Sequence, residues 1–182
     1  MRLFIGIGLN EGIQNYIEGR KEKMTPYLTT GKWTFKTNLH LTLKFIGEVQ
    51  PEQVHPILKE LEKLNHYKKP FDIHLDQLGV FEKKNKNILW IGLKEQQALI
   101  ELYQLIEVLM AKCGVELDSR PYIPHITLGR GIRFTQPFET VKAAVHIKHE
   151  CVHVHEVTLY ESKQVDGKLA YVPVRTFKLT AN

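Results

Sequence analysis

The chain carries one short phrase twice, HLTL at 40–43 and HITL at 125–128, once in each half of its 182 residues. Both copies sit in runs with strand character, LHLTLKFIG at 39–47 and IPHITLG at 123–129. Along a strand, side chains two apart share a face. His40 and Thr42 therefore point one way, and Leu41 and Leu43 the other. His125 and Thr127 repeat this against Ile126 and Leu128. The aliphatic face suits a core, so the His/Thr face must meet something polar. We expect an α+β fold of two pseudo-symmetric lobes, with antiparallel sheets facing a central cleft and helices outside. The whole of 1–182 would form a single bilobal domain.

Outward from the two phrases, the patterning fills in the same way. RLFIGIGL at 2–9 reads as a buried strand, and Asn10 caps a helix that buries Ile13, Tyr16 and Ile17. PEQVHPILKELEKLN at 51–65 reads as one helix, with Pro51 in its first turn and Val54, Ile57, Leu58, Leu61 and Leu64 as its stripe. FDIHLDQLGVF at 71–81 and ILWIGL at 88–93 form a hairpin across the polar tip at 83–87. A long helix spans 95–112, its stripe running through Leu99, Leu102, Tyr103, Ile106 and Met110 and its end capped by Gly114. A helix near 138–146 and strands near 150–161 and 170–179 complete the chain.

Composition narrows the function classes. With 43% hydrophobic residues the chain can build a core, and no segment is disordered by composition. The longest apolar runs are too short to span a bilayer, and MRLFIGIGLNEG lacks the form of a signal peptide, so a cytoplasmic protein is expected. Cys113 and Cys151 stand alone, without zinc-type spacing. A net charge of +5 leans toward anionic partners such as nucleotides or RNA.

Two imidazoles on opposite sides of a bound group suggest a definite chemistry. An ordinary histidine pKa of roughly 6.5 lets one copy be neutral and the other protonated near neutrality. In-line displacement at phosphorus needs a base for the attacking oxygen and an acid for the leaving one. Both limbs of the resulting pH profile are expected within about two units of neutrality. Threonine hydroxyls can donate to non-bridging phosphate oxygens, and no metal or cofactor is required.

HLTLKFIGEV at 40–49 and RPYIPHITLGR at 120–130 resemble the paired signatures of the two-histidine (2H) phosphoesterases. The chain is most similar to their RNA 2′,3′-cyclic phosphodiesterase branch, also called 2′-5′ RNA ligase, and the likeness runs through MRLFIGIGL, LGVFEKKNKNILWIGL and the closing strands. The resemblance implies a bilobal fold and metal-free opening of RNA 2′,3′-cyclic phosphate ends to 2′-phosphates. It also implies a possible joining of RNA ends through a 2′-5′ bond without ATP. Carried over, His40 is the proton donor and His125 the proton acceptor, with Thr42, Thr127 and Arg130 binding substrate. The partners are RNA 3′ ends or nucleotides bearing a cyclic phosphate, and a monomer is expected. A small nucleotide of the ADP-ribose cyclic phosphate type is the alternative substrate, and a non-catalytic RNA-end binding module the alternative class.

Strand parity puts Arg130 on the leucine side, so it needs a twist or bulge at Gly129 to reach the cleft. Lys44 shares parity with His40, which sets it at the cleft rim or in solvent, whereas the family commonly has a non-basic residue there. Phe45 shares parity with the leucines and reads as core, with stacking on a base as the alternative. Tyr122 either stacks on a base or covers the joint between lobes. His149, Cys151, His153 and His155 share parity, yet three alternate positions of one strand span about 13 Å, too far for one ion, so an exposed strand face is expected. GIGLNEG at 6–12 is a loose glycine-rich match whose glycines fall inside a strand.

Overall fold

The computed structural model describes residues 1–84 and 86–181. Nine strands and five helices follow one another in the order β1 (Arg2–Gly8), α1 (Glu11–Met24), β2 (Leu28–Trp33), β3 (His40–Glu48), α2 (Pro51–Leu61), α3 (Leu64–Tyr67), β4 (Phe71–Phe81), β5 (Asn87–Leu93), α4 (Gln97–Ala111), β6 (His125–Phe134), α5 (Phe138–Ala144), β7 (Cys151–Val154), β8 (Glu156–Val165) and β9 (Lys168–Lys178) among the described residues. The strands pair antiparallel in the spatial order β7-β4-β5-β6-β3-β1-β8-β9, with β2 paired to β6. The fold is α+β, as expected.

The two phrases lie at the centre of this order. β3 and β6 are neighbours, joined at Leu41 and Ile126. Outward from that joint the halves match. β1 flanks β3 and β5 flanks β6, and then β8 and β4 follow. The aliphatic faces behave as the alternation requires: Leu41, Ile126 and Leu128 are fully buried and Leu43 nearly so. They belong to one core with Leu99, Leu102, Ile106 and Met110 of α4. Asn10 caps α1 by accepting from the Ile13 N–H at 2.9 Å. Gly114 ends α4 in the left-handed region at φ +78°.

Three elements depart from the sequence patterning. The helix expected over 51–65 stops at Leu61. Beyond it, the Lys63 and His66 amides donate to Glu60 and Lys63, three residues back, a tightened turn that leads into the short α3. The strand expected over 150–161 breaks at His155. Its first part joins β4 at one end of the order and its second joins β1 at the other. β2 was not expected, because LTTGKW is mostly exposed and lacks apolar alternation. Its Gly31 sits at φ +151°, and a Cβ there would meet Ile132 Cδ1 at 2.4 Å, so only glycine lets β2 approach β6. Of the expected hairpin tip at 83–87, residue 85 lies outside the described residues.

Candidate active site

His40 and His125 are held in the same way. The Nδ1–H of His40 donates to the Asn38 carbonyl at 2.7 Å, and that of His125 to the Ile123 carbonyl at 2.7 Å. A carbonyl only accepts, so in the neutral ring the proton sits on Nδ1 and Nε2 is left basic. His40 Nε2 lies 2.9 Å from Thr42 Oγ1, whose hydroxyl donates to it. His40, Thr42, His125, Thr127 and Arg130 line one cavity of about 370 Å³. Arg2 borders it too, and no carboxylate is among its lining residues. Two guanidinium groups without an acid suit an anionic occupant.

Bulges decide which neighbours reach this cavity. On β3, Gly6 pairs with Thr42 and Ile5 with Lys44, so Leu43 is the extra residue. On β6, Trp90 pairs with Thr127 and Leu89 with Gly129, so Leu128 is the extra residue. Each bulge reverses the parity beyond it. The bulge that Arg130 required is therefore present, and Arg130 lines the cavity. The same reversal overturns the expectations for Lys44 and Phe45. Lys44 is 2% exposed, not at the rim, and Phe45 is 49% exposed and lines the cavity instead of the core.

Lys44 is tied into a buried charge cluster. Its Nζ contacts Glu107 Oε1 at 2.7 Å and Asp118 Oδ2 at 3.3 Å, and donates to the Glu116 carbonyl at 2.7 Å. This cluster anchors the segment after α4 that leads into Ile123, the residue whose carbonyl orients His125. Tyr122, in the same segment, stacks on Tyr103 with centroids 4.1 Å apart and donates from its hydroxyl to the Thr42 carbonyl at 3.1 Å. Tyr122 therefore braces the joint between halves. Its burial pushes the phenol pKa up.

Sequence reasoning missed Asn38 and Arg2. Asn38 is 6% exposed; its amide donates to the Leu169 carbonyl at 2.8 Å and accepts from the Tyr171 N–H at 3.1 Å. The carbonyl that fixes His40 is thus locked to β9. A short polar residue two positions before the phrase was the available signal. Arg2 lies over the Phe45 ring at 5.1 Å.

Burial moves both imidazoles toward the neutral form. Desolvation lowers His40 to about 4, aided by His125 and Arg130 and opposed by its bond to the Asn38 carbonyl. Desolvation also lowers His125, with Arg130 adding to it and the Ile123 carbonyl opposing. Phe4 and Tyr171 pack on His40 at 4.8 and 4.9 Å, and Phe81 and Trp90 on His125 at 4.9 and 5.9 Å.

A larger cavity of about 460 Å³ lies beyond Phe45. Glu48, Glu116 and Asp118 line it against the one cation Arg120 among its described lining residues, and an excess of carboxylates repels phosphate. Among the described residues, no three His, Cys, Asp or Glu side chains come together as a metal site. His149, Cys151, His153 and His155 are all exposed, as expected, although only Cys151 and His153 lie within β7. His153 stacks on His155 with ring centres 5.7 Å apart and pairs with Asp72 at 2.6 Å. Among the described residues, no helix is long and apolar enough to cross a membrane.

Comparison with known proteins identifies the family. The 2′-5′ RNA ligase superfamily matches residues 13–166. The RNA 2′,3′-cyclic phosphodiesterase of Escherichia coli is 31% identical over 183 residues, covering 98% of this chain and 97% of that protein. That of Aquifex aeolicus is 32% identical over 133 residues, covering 71% of this chain and 70% of the relative. The similar protein of Geobacillus stearothermophilus is longer, and the match spans 44% of it. Among solved structures, E. coli LigT complexed with 3′-AMP superposes with a TM-score of 0.79 at 28% identity, covering 98% of this chain and 97% of that one. The chain therefore belongs to the 2′-5′ RNA ligase superfamily and is an enzyme related to the RNA 2′,3′-cyclic phosphodiesterases.

Proposed function

We propose that the chain hydrolyses RNA 2′,3′-cyclic phosphate ends to 2′-phosphates, with His40 as proton donor, His125 as proton acceptor and Thr42, Thr127 and Arg130 binding the phosphate. The observation that carries the reading is one acid-free cavity lined by two imidazoles of like tautomer, two threonines and an arginine. Water attacks phosphorus opposite O3′ and gives its proton to His125 Nε2. The P–O3′ bond breaks, and O3′ takes the proton from His40 Nε2. A 2′-phosphate monoester leaves, and proton exchange with solvent resets both rings. A 5′-hydroxyl in place of water would form a 2′-5′ bond by the same path.

The low pKa of His40 makes its protonated form a strong acid, well matched to an alkoxide leaving group. It also keeps that form scarce in the free protein at neutral pH. The anionic substrate, seated between the two rings, favours the protonated ring by charge. Turnover of an oligonucleotide with a 2′,3′-cyclic phosphate end, in chelator, with product regiochemistry scored, tests the reading. A 2′-phosphate is expected. A 3′-phosphate product would exchange the leaving oxygen, and no turnover would reject the reading.

A further inference from the structure

A second groove, of about 230 Å³, opens directly from the candidate active site. Arg130, Thr34, Leu169 and Tyr171 line both spaces, so the two are continuous. Its own walls include Trp33, Phe35 and Lys32, with Lys168 at the start of β9. Phe35 is 41% exposed, and Lys168 Nζ lies 6.0 Å from its ring centre. Lys32, Arg130 and Lys168 are its three cations, and no carboxylate is among its lining residues.

The groove is also rigidly built. The Thr34 amide donates to the Leu128 carbonyl at 2.8 Å, and buried Lys21 donates to the Thr34 carbonyl at 2.6 Å. Asn38, beneath the groove, ties Leu169 and Tyr171 in place. Two aromatic side chains beside three cations, with Lys168 over the Phe35 ring and no acid among the described lining residues, match a nucleobase followed by a phosphodiester.

We propose that this groove seats the nucleotide immediately upstream of the cyclic phosphate end, its base against Phe35 and Trp33 and its linking phosphodiester among Arg130, Lys32 and Lys168. This rests on the function proposed above and narrows it: the substrate is an RNA chain end and not a free small nucleotide. With one upstream nucleotide seated there, a second should add little.

The test compares a mononucleotide, a dinucleotide and a trinucleotide, each ending in a 2′,3′-cyclic phosphate, on wild type, Phe35→Ala and Lys168→Gln. Calorimetric binding of the corresponding 3′-phosphates is measured in parallel. The dinucleotide should exceed the mononucleotide about tenfold in kcat/KM and in affinity, the scale of one base stacked on an aromatic ring. The trinucleotide should match the dinucleotide within about twofold. Phe35→Ala should remove most of the dinucleotide advantage, Lys168→Gln should remove part of it in a salt-dependent way, and mononucleotide kinetics should not change. Equal binding of mono- and dinucleotide by wild type would overturn the groove, as would a Phe35→Ala loss shared equally by both. The binding arm decides the groove even where no ligand is hydrolysed, which would count against the catalytic reading alone.

Discussion

The run from His40 to Phe45 and the run from His125 to Arg130 share a backbone and differ in cargo. Each orients its histidine through a carbonyl two residues upstream, and each bulges at the leucine after its threonine. Past the bulge the copies diverge. Lys44 stands where the other run has Gly129, and Phe45 where it has Arg130. On the flanking strands, Gly6 faces Thr42 whereas Trp90 faces Thr127. A Cβ on Gly79 would fall 2.1 Å from Trp90, so that ring has its place only because β4 offers glycine there. The lesson is a division of labour. The duplicated backbone delivers two equivalent imidazoles, and the unduplicated neighbours make them chemically unequal. One run supplies an aromatic wall and a buried anchor, the other an arginine that lines the cavity.

The sharpest break of this comparison removes either imidazole. His40→Ala and His125→Ala should each lower turnover roughly 10²-fold or more, with Thr42→Ala and Thr127→Ala costing less and acting partly through KM. A substrate with a better leaving group at the 3′ position should rescue His40→Ala and leave His125→Ala slow. Equal rescue of both would make the two runs functionally alike.

Lys44 tests whether the anchor belongs to one half alone. Lys44→Met leaves Glu107 buried without its cation, at a cost of about 3–5 kcal/mol. Chemical denaturation should show that loss, and Lys44→Met with Glu107→Leu should recover most of it. A single substitution with unchanged stability would mean that the cluster contributes nothing net.

Exchange of roles past the bulge should have a smaller effect. Arg130→Gln should raise KM about tenfold, the scale of one charge-assisted hydrogen bond, while Phe45→Leu shifts it less. Steady-state kinetics at low and high salt separate the two, because only the arginine effect should shrink with salt.

The smallest effect is in pH. Neutral histidines in the fold change the expectation of limbs centred on neutrality: the kcat/KM profile should be displaced to the acid side. The alkaline limb of kcat should lie above that of kcat/KM, because bound phosphate favours the charged ring. Stability has a fixed sign. Unfolded His40 takes a proton near its ordinary pKa, whereas folded His40 resists until about 4, so stability falls as pH drops through that window. His40→Ala should flatten this part of a Tm-against-pH curve, and an unflattened curve would place His40 in a more solvated setting.

Much of this was legible in the chain. The His-x-Thr-Leu alternation assigned the two polar and two aliphatic faces, because side-chain direction in a strand follows from sequence spacing alone. The α4 stripe and the Asn10 cap were legible for the same kind of local reason. Lys44 and Phe45 were misassigned because parity holds only until a bulge, and a bulge depends on the partner strand. Asn38 was missed because its worth lies in its bonds to β9, more than a hundred residues away. The break at His155 escaped the pattern because both flanking pieces alternate as strands; only pairing sends them to opposite ends of the sheet.

The sequence by itself determined which residues are candidates for the chemistry, that they come in two sets, and which family the chain resembles, because local alternation and a repeated phrase are properties of the chain. Only the tertiary structure decided that the sets meet at Leu41 and Ile126, that Arg130 reaches the cavity while Lys44 turns to the core, and that burial lowers both imidazoles. Those outcomes depend on register, burial and the charges brought near, which arise only when distant strands pair.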